Sequence, residues 1–474
     1  MNHRTGLDRS QTLLFPERLE DYIAAENPAR FLDAFVGSLD LHALGFARAR
    51  CASTGCPPYD PADLLKLYLY GYLHRVRSSR LLEAECHRNV EVLWLLGKLA
   101  PDFKTIADFR KDNLKPLKAV ARQFTLLCRK LALFGGELLA IDGSKFAAVN
   151  ARDQNFNADK LENLIARADA RLAEYLQQLD TADAAEPGTA TLTKTELAAK
   201  IAALQEKQDW HKELLAQLDD DQKQISVTDP DTRKMPTAHG TLVGYNAQMA
   251  VDAKHKLIAA EDVTNDVTDY QQLANVALEA KANLELTRTE VVADAGYYNA
   301  GEVNRCVEHG ITPFIPKSDT SANSARGLYG KSQFQYDALK DVYVCPAGDT
   351  LTYRFATVEL DRELKYYRAS QCKTCALKSR CTRNKANRTI TREANEPLME
   401  AMAARMRQQP DKFRLRKTLA EHPFGTIKRW FGYTHFLLKG LAKVQCEWSL
   451  TTLAYNLKRV LNLVRFEKLM AAVA

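Results

Sequence analysis

The sequence has no apolar run that approaches the ~20 residues needed for a membrane-spanning helix. Its start, from Met1 to Gly6, also lacks the apolar segment of a secretory signal. Both absences predict a cytoplasmic protein without a membrane partner. No sign of charge dominates, because 66 Lys and Arg face 59 Asp and Glu, for a net charge of +7. This mild excess permits nucleic acid as a partner but does not require it.

The length of 474 residues predicts two to four structural units, and 46% hydrophobic residues are enough for a large core. The chain contains ten cysteines. In a cytoplasmic protein these are expected to be reduced thiols or metal ligands instead of disulfides.

The periodicity of apolar residues divides the chain. Residues 1–130 read as a helical, basic domain that suits DNA binding or dimerisation, although an all-α domain with solvated charges fits equally well. From residue 131 the pattern indicates strands, at 137–141, 290–293 and 312–316, and a β-hairpin at 244–252 and 257–263. We therefore expect an α/β core in three segments, 131–157, 225–324 and 396–474, the last of them helical.

Two insertions interrupt this predicted core. Residues 158–224 keep a heptad-like spacing of apolar side chains, and Thr193 and Glu196 form a capping-box pattern, so a helical hairpin is expected. Residues 325–395 are strand-rich and contain four cysteines. The second insertion is therefore predicted to be a cysteine-bearing β unit.

Three carboxylates stand out by their local setting. Asp142 and Asp294 each end a short apolar run and precede a glycine, which predicts strand-end carboxylates beside glycine turns. An ordinary turn-initiating Asp is the alternative for either one alone. Glu421 lies in a helical pattern. Two strand-end aspartates and one helical glutamate can surround two divalent metal ions, as in-line attack on a phosphodiester requires.

Basic residues surround Glu421. Lys428 follows it by seven residues, so both lie on one face if the helix runs through Pro423. Together with Arg416, Lys417 and Arg429, Lys428 is a candidate for contact with DNA phosphates. The alternative is a solvated amphipathic helix.

At this point the chain resembles a bacterial insertion-sequence transposase of the DDE type. Three blocks carry the resemblance: 140–144 (AIDGS), 293–297 (ADAGY) and 421–428 (EHPFGTIK). The family's third block usually has Tyr and Arg seven and four residues before the Glu, where this chain has Arg414 and Lys417, and Arg416 is the alternative arginine.

The resemblance implies a fold and an activity. The fold is a ribonuclease-H-like (retroviral-integrase-like) core, in which Asp142, Asp294 and Glu421 bind two Mg²⁺ (or Mn²⁺) ions. The activity is cleavage of transposon-end DNA and transfer of its 3′-hydroxyl into target DNA. The implied partners are both DNAs and a second copy of the chain on DNA, in the nucleoid-associated cytoplasm. A metal-dependent nuclease of the same fold and a catalytically silent, transposase-derived DNA-binding protein are the alternatives.

The cysteine cluster predicts a second metal site. Cys345, Cys372, Cys375 and Cys381 provide four thiolates, with a CxxC at 372–375. Four thiolates can close a tetrahedral structural Zn²⁺ site. The spacing to Cys381 is longer than in a second CxxC, so reduced thiols that pack or respond to redox state are the alternative.

Overall fold

The computed structural model describes residues 18–51, 57–184, 194–218, 224–237, 240–317, 323, 326–359 and 362–474. The amino-terminal part is helical: α1 (Pro28–Gly37), α2 (Pro61–Leu73), α3 (Ser79–Arg88), α4 (Val90–Leu95), α5 (Phe103–Asp112) and α6 (Leu114–Lys130). Asn27 and Asp60 precede α1 and α2, and each accepts a hydrogen bond of 2.8 Å from a backbone N–H two residues on. A proline follows each of them, which presets the first turn of the helix.

A mixed sheet follows. Its strands are β1 (Leu138–Ala147), β4 (Arg233–Thr237), β5 (Gly240–Asp252), β6 (Ile258–Thr264), β7 (Thr289–Val292) and β8 (Ile311–Phe314). β5 pairs antiparallel with β1, β4 and β6, whereas β7 pairs parallel with β1 and β8. The hairpin predicted at 244–252 and 257–263 is confirmed as β5 and β6. Helices α9 (Leu273–Asn283) and α10 (Ala300–Glu308) connect the later strands.

The predicted strand end at Asp142 is wrong. β1 continues through Gly143 to Ala147, and Gly143 pairs with Gln248 of β5. Glycine at this position leaves room for the neighbouring side chains of Gln248 and Asp269 and does not form a turn. A Cβ atom at Gly143 would lie 2.3 Å from Nε2 of Gln248 and 2.6 Å from Oδ1 of Asp269.

Two insertions extend from this sheet. The short pair β2 (Asn155–Phe156) and β3 (Ile225–Ser226) flanks the packed helices α7 (Ala158–Ala184) and α8 (Lys194–Ala216). Thr193 of the predicted capping box lies outside the described residues. The second insertion is an antiparallel sheet of β9 (Gln335–Asp337), β10 (Val342–Val344), β11 (Thr350–Glu359), β12 (Arg362–Arg368) and β13 (Thr389–Glu393), with the short helix α11 (Lys378–Cys381).

The carboxyl-terminal helices join the amino-terminal helices to the sheet. They are α12 (Glu396–Gln408), α13 (Pro410–Gly425), α14 (Leu441–Leu463) and α15 (Phe466–Val473), with a π-helix at Thr426–Trp430. Side chains from α1 to α6, one face of β5 and the buried length of α14 form one hydrophobic core. Arg77 and Glu447 form a buried ion pair of 3.0 Å across this junction. In the described part of the chain, every helix is too short or too polar to span a membrane.

Candidate active site

Asp142 and Asp294 approach the same guanidinium group. Nη1 of Arg416, on α13, lies 3.4 Å from Oδ2 of Asp142 and 3.9 Å from Oδ2 of Asp294. β7 pairs with β1 only as far as Ala140. The acid that follows β7 therefore comes close to the acid two residues further along β1. The structure thus brings together two acids that are about 150 residues apart in the sequence.

The carboxylates of Asp142 and Asp294 repel each other, and Asp142 is largely buried. Burial raises the pKa of Asp142 to about 7; the Arg416 guanidinium opposes this shift, and the charge of Asp294 adds to it. The side chain of Asp142 is 17% exposed, against 41% for Asp294. Asp294 also accepts a hydrogen bond of 2.8 Å from the backbone N–H of Gly296. A cation between the two carboxylates relieves both their repulsion and the cost of burial.

Glu421 does not join the two aspartates as a ligand group. It is exposed on α13, five residues after Arg416, and the preceding Leu419 and Ala420 pack against β1 and β7. In the part of the chain that the structure describes, no three or more His, Cys, Asp or Glu side chains form a group that could hold a metal ion. The guanidinium of Arg416 is the positive charge that faces both aspartates.

The candidate DNA-contacting residues fall into two groups. Lys417 and Arg429 are exposed. Lys428 is directed inward, where Nζ donates to Oγ of Ser144 at 2.6 Å and to the carbonyl of Lys145 at 2.9 Å. α13 runs through Pro423, but the π-helix that follows changes the phase between Glu421 and Lys428.

Asp269 is a third acid near the site, although its place in the sequence marked it only as one of several acids near the core, most of them expected in turns or caps. Its Oδ1 accepts hydrogen bonds of 2.7 Å from the buried amides of Asn246 and Gln248, and Nζ of Lys145 lies 3.7 Å away. Its charge contributes to the raised pKa of Asp142. The alternation of Asn246 and Gln248 on one face of β5 was the available signal, because buried amides need partners.

The cysteine-bearing sheet holds a separate polar site. Cys345, Cys372, Cys375 and Cys381 all line one cavity of about 610 Å³. Burial raises the pKa of the Cys381 thiol, and the other three cysteines contribute to the shift while Arg388 opposes it. The four thiols surround this cavity without meeting as a ligand group.

The fold is a mixed α/β fold, and its acidic site has one aspartate on β1 and a second just after the neighbouring strand β7. Two family models match the chain: a transposase DDE domain over residues 344–461 and a transposase domain (DUF772) over residues 17–112. No curated protein matches it. Among solved structures, the cryo-EM structure of the piggyBac transposase synaptic complex with hairpin DNA is similar at 9% identity and a TM-score of 0.31, over 94% of this chain and 79% of that chain.

Both matches are to transposase domains, and they agree with the resemblance to an insertion-sequence transposase of the DDE type that the three sequence blocks indicated. The transposase DDE family implies a polynucleotidyl-transferase type of enzyme that depends on divalent metal ions. Glu421 and the four cysteines lie inside the DDE match, whereas Asp142 and Asp294 lie outside both matched segments.

Proposed function

We propose that this transposase cleaves transposon-end DNA and transfers the freed 3′-hydroxyl into target DNA, using two Mg²⁺ (or Mn²⁺) ions held by Asp142, Asp294 and Glu421. The observation that carries the proposal is the approach of Asp142 and Asp294 to one guanidinium. Distant acids that gather around a single positive charge, at an opening of a rigid sheet, fit a site for cations.

The donor set suits the proposed ions. Carboxylate oxygens are the ligands that Mg²⁺ and Mn²⁺ prefer. Bound in pairs, such ions stabilise the attacking and leaving oxygens of an in-line displacement. The protein's part is to mount Asp142 on a strand paired along its length with β5, which fixes the carboxylate in place.

Glu421 must come to the aspartates for the proposal to hold. It shares α13 with Arg416, so a rotation or shift of this helix moves both side chains together. The π-helix at Thr426–Trp430 provides a segment where the helical phase can change, and such segments are frequent at functional sites. In the proposed active state, Arg416 withdraws from the acids and becomes available to a DNA phosphate.

The proposed DNA path runs along the same helix. Lys417 and Arg429 are exposed, and the ring of Trp430 is 60% exposed with the guanidinium of Arg75 5.2 Å from its centre. Exposed cations bind phosphates, and an exposed aromatic ring can stack on an unpaired base. A second copy of the chain on DNA belongs to the proposal, because two transposon ends must be joined.

The proposed fold is a ribonuclease-H-like core. The sheet order β6, β5, β1, β7 and β8 supports it, with three antiparallel strands followed by two parallel ones. Its acids lie on β1 and directly after β7.

Strand transfer with pre-nicked transposon ends tests the proposal. With Mg²⁺ we expect joined products for the unaltered chain and a loss of about 1,000-fold for Asp142→Asn, Asp294→Asn and Glu421→Gln, since each removes several kcal/mol of transition-state stabilisation. Glu174→Gln, on the exposed surface of α7, is the matched control and should retain activity.

The outcomes separate the alternatives. Cleavage without joining favours a nuclease of the same fold. Binding of DNA with neither reaction favours a silent DNA-binding protein. Unchanged joining by the Asp142→Asn variant would show that this site does not take part in the reaction.

A further inference from the structure

The four cysteines of the β insertion gather at one place although three separate stretches supply them. Cys345 follows β10, Cys372 and Cys375 lie in the loop after β12, and Cys381 ends α11. All four line the same cavity. The other described cysteines, Cys51, Cys86, Cys128, Cys306 and Cys446, lie outside it.

A carboxylate holds two of the cysteine-bearing turns together. Asp349 lies in the turn that Cys345 opens, where the N–H of Cys345 donates to the Asp349 carbonyl at 2.9 Å. The Asp349 carboxylate accepts hydrogen bonds of 3.1 and 3.0 Å from the backbone N–H groups of Ser370 and Gln371, directly before Cys372. The fold therefore fixes the first and second cysteine segments side by side.

The turn at Cys345 is tight. Gly348 adopts a positive φ of 84°, which favours glycine, and its N–H donates to the Cys345 carbonyl at 2.9 Å. The N–H of Arg388 donates to Sγ of Cys372 at 3.3 Å. An N–H bond to sulfur stabilises a thiolate, which is the form of cysteine that binds metal.

The sheet around the cavity has little buried apolar surface of its own. Lys378 and Arg388 also line the cavity, and positive charges near cysteine promote its ionised form. The hydrophobic cluster of this sheet is small: Phe334, Tyr343, Leu351, Tyr367, Ala369, Cys381 and Ile390. A unit with so little buried apolar surface is typically stabilised by a metal or by disulfides.

We propose that Cys345, Cys372, Cys375 and Cys381 bind one structural Zn²⁺ ion that stabilises the cysteine-bearing sheet. Four sulfur ligands suit Zn²⁺, which takes tetrahedral thiolate sites. Because the thiols surround the cavity without meeting, binding draws the side chains inward. The proposed ion takes no part in phosphodiester chemistry, so this site and the site of Asp142 and Asp294 can fail independently.

The test is the metal content of the full chain after expression with added zinc. We expect about one Zn²⁺ per chain, and a loss of at least about 80% of it in Cys372→Ser and Cys375→Ser. Cys51→Ser, an exposed cysteine outside the cavity, is the control and should keep the metal. Zinc removal should lower the melting temperature of the unaltered chain and leave that of Cys372→Ser unchanged.

A second measurement covers variants that fail to fold. Co²⁺ added to the zinc-depleted, unaltered chain should give the visible absorption of a tetrahedral thiolate complex. Either of two results overturns the proposal: a zinc content no higher than that of Cys372→Ser, or resistance of the four cysteines to alkylation until they are reduced, which indicates disulfides.

Discussion

The mixed sheet and the cysteine-bearing sheet solve the same stability problem in different ways. The mixed sheet is covered by α9, α10 and α12 on one face and by the large shared core with α14 on the other. The cysteine-bearing sheet has a small cluster of its own and exposes Tyr353, Phe355 and Val358 on β11. Burial on both faces can hold acidic side chains in fixed positions. A sheet with a small core depends more on hydrogen bonds between its turns, such as those of Asp349, for its stability.

The largest expected effect concerns the junction that completes the shared core. Arg77→Met should lower the free energy of unfolding by about 3–5 kcal/mol, because Glu447 would remain buried without its partner. Chemical denaturation measures this. Arg88→Met, which removes the ion pair of the exposed Arg88 side chain with Glu85, is the control and should cost less than ~1 kcal/mol. An equal decrease in the free energy of unfolding of both variants would contradict the special importance of the buried ion pair at this junction.

A second prediction concerns a buried acid in the same junction. Burial raises the pKa of Glu261 from 4.5 to about 7, and Lys118 and a hydrogen bond from Ser449 oppose the shift, whereas Glu279 and Asp262 add to it. The protonated form is favoured in the folded protein, so its contribution to stability is complete below pH 4.5 and is lost as the pH rises through about 7.

Glu261→Gln should remove this dependence. The variant should gain stability relative to the unaltered chain as the pH rises from 4.5 to 8, by at most about 3 kcal/mol. Thermal or chemical unfolding across this pH range checks it, with Glu174→Gln as the exposed control. A difference that stays constant with pH would show that Glu261 does not titrate in this way.

A third prediction concerns Asp269, whose place beside Asp142 was not predicted from the sequence. Asp269→Asn should reduce strand transfer by about 10–100-fold, because it leaves Lys145 without its anion and disturbs the Asn246 and Gln248 amides beside Asp142. The melting temperature and the affinity for DNA should change little. Asp266→Asn, exposed and three residues earlier, is the control. Full activity of Asp269→Asn would restrict this acid to a structural role.

The smallest effect is expected in the cysteine-bearing sheet. Asp349→Ala should destabilise that sheet by about 1–2 kcal/mol, since it removes the hydrogen bonds to Ser370 and Gln371. Hydrogen exchange should become faster in β10 to β13 and remain unchanged in β1 and β5. Faster exchange in both sheets would mean that the two regions unfold as one unit.

Much of the mixed sheet could be predicted from the sequence because its strands are short apolar runs bounded by turns. The hairpin of β5 and β6 is an example. The end of β1 was predicted wrongly at Asp142, because a glycine that makes room for Gln248 and Asp269 cannot be told from a turn glycine in the sequence. The relation between Glu421 and Lys428 also could not be predicted, since a π-helix after Gly425 changes the helical phase between the two residues.

The sequence singled out Asp142 and Asp294 but did not indicate how they are arranged around Arg416. Asp142 and Asp294 stood out because each ends an apolar run, and the parallel pairing of β1 with β7 brings them together. Arg416 was considered only as a phosphate contact. Its place between the two aspartates depends on how α13 packs on the sheet, which is a tertiary contact without a local signal.

Binding of Mn²⁺, followed by electron paramagnetic resonance with transposon-end DNA present, tests the central claim most directly. We expect the Asp142→Asn, Asp294→Asn and Glu421→Gln variants each to lose bound Mn²⁺, whereas Glu174→Gln should retain it. Unchanged Mn²⁺ binding in the Glu421→Gln variant, with loss in both aspartate variants, would contradict a site shared by all three acids.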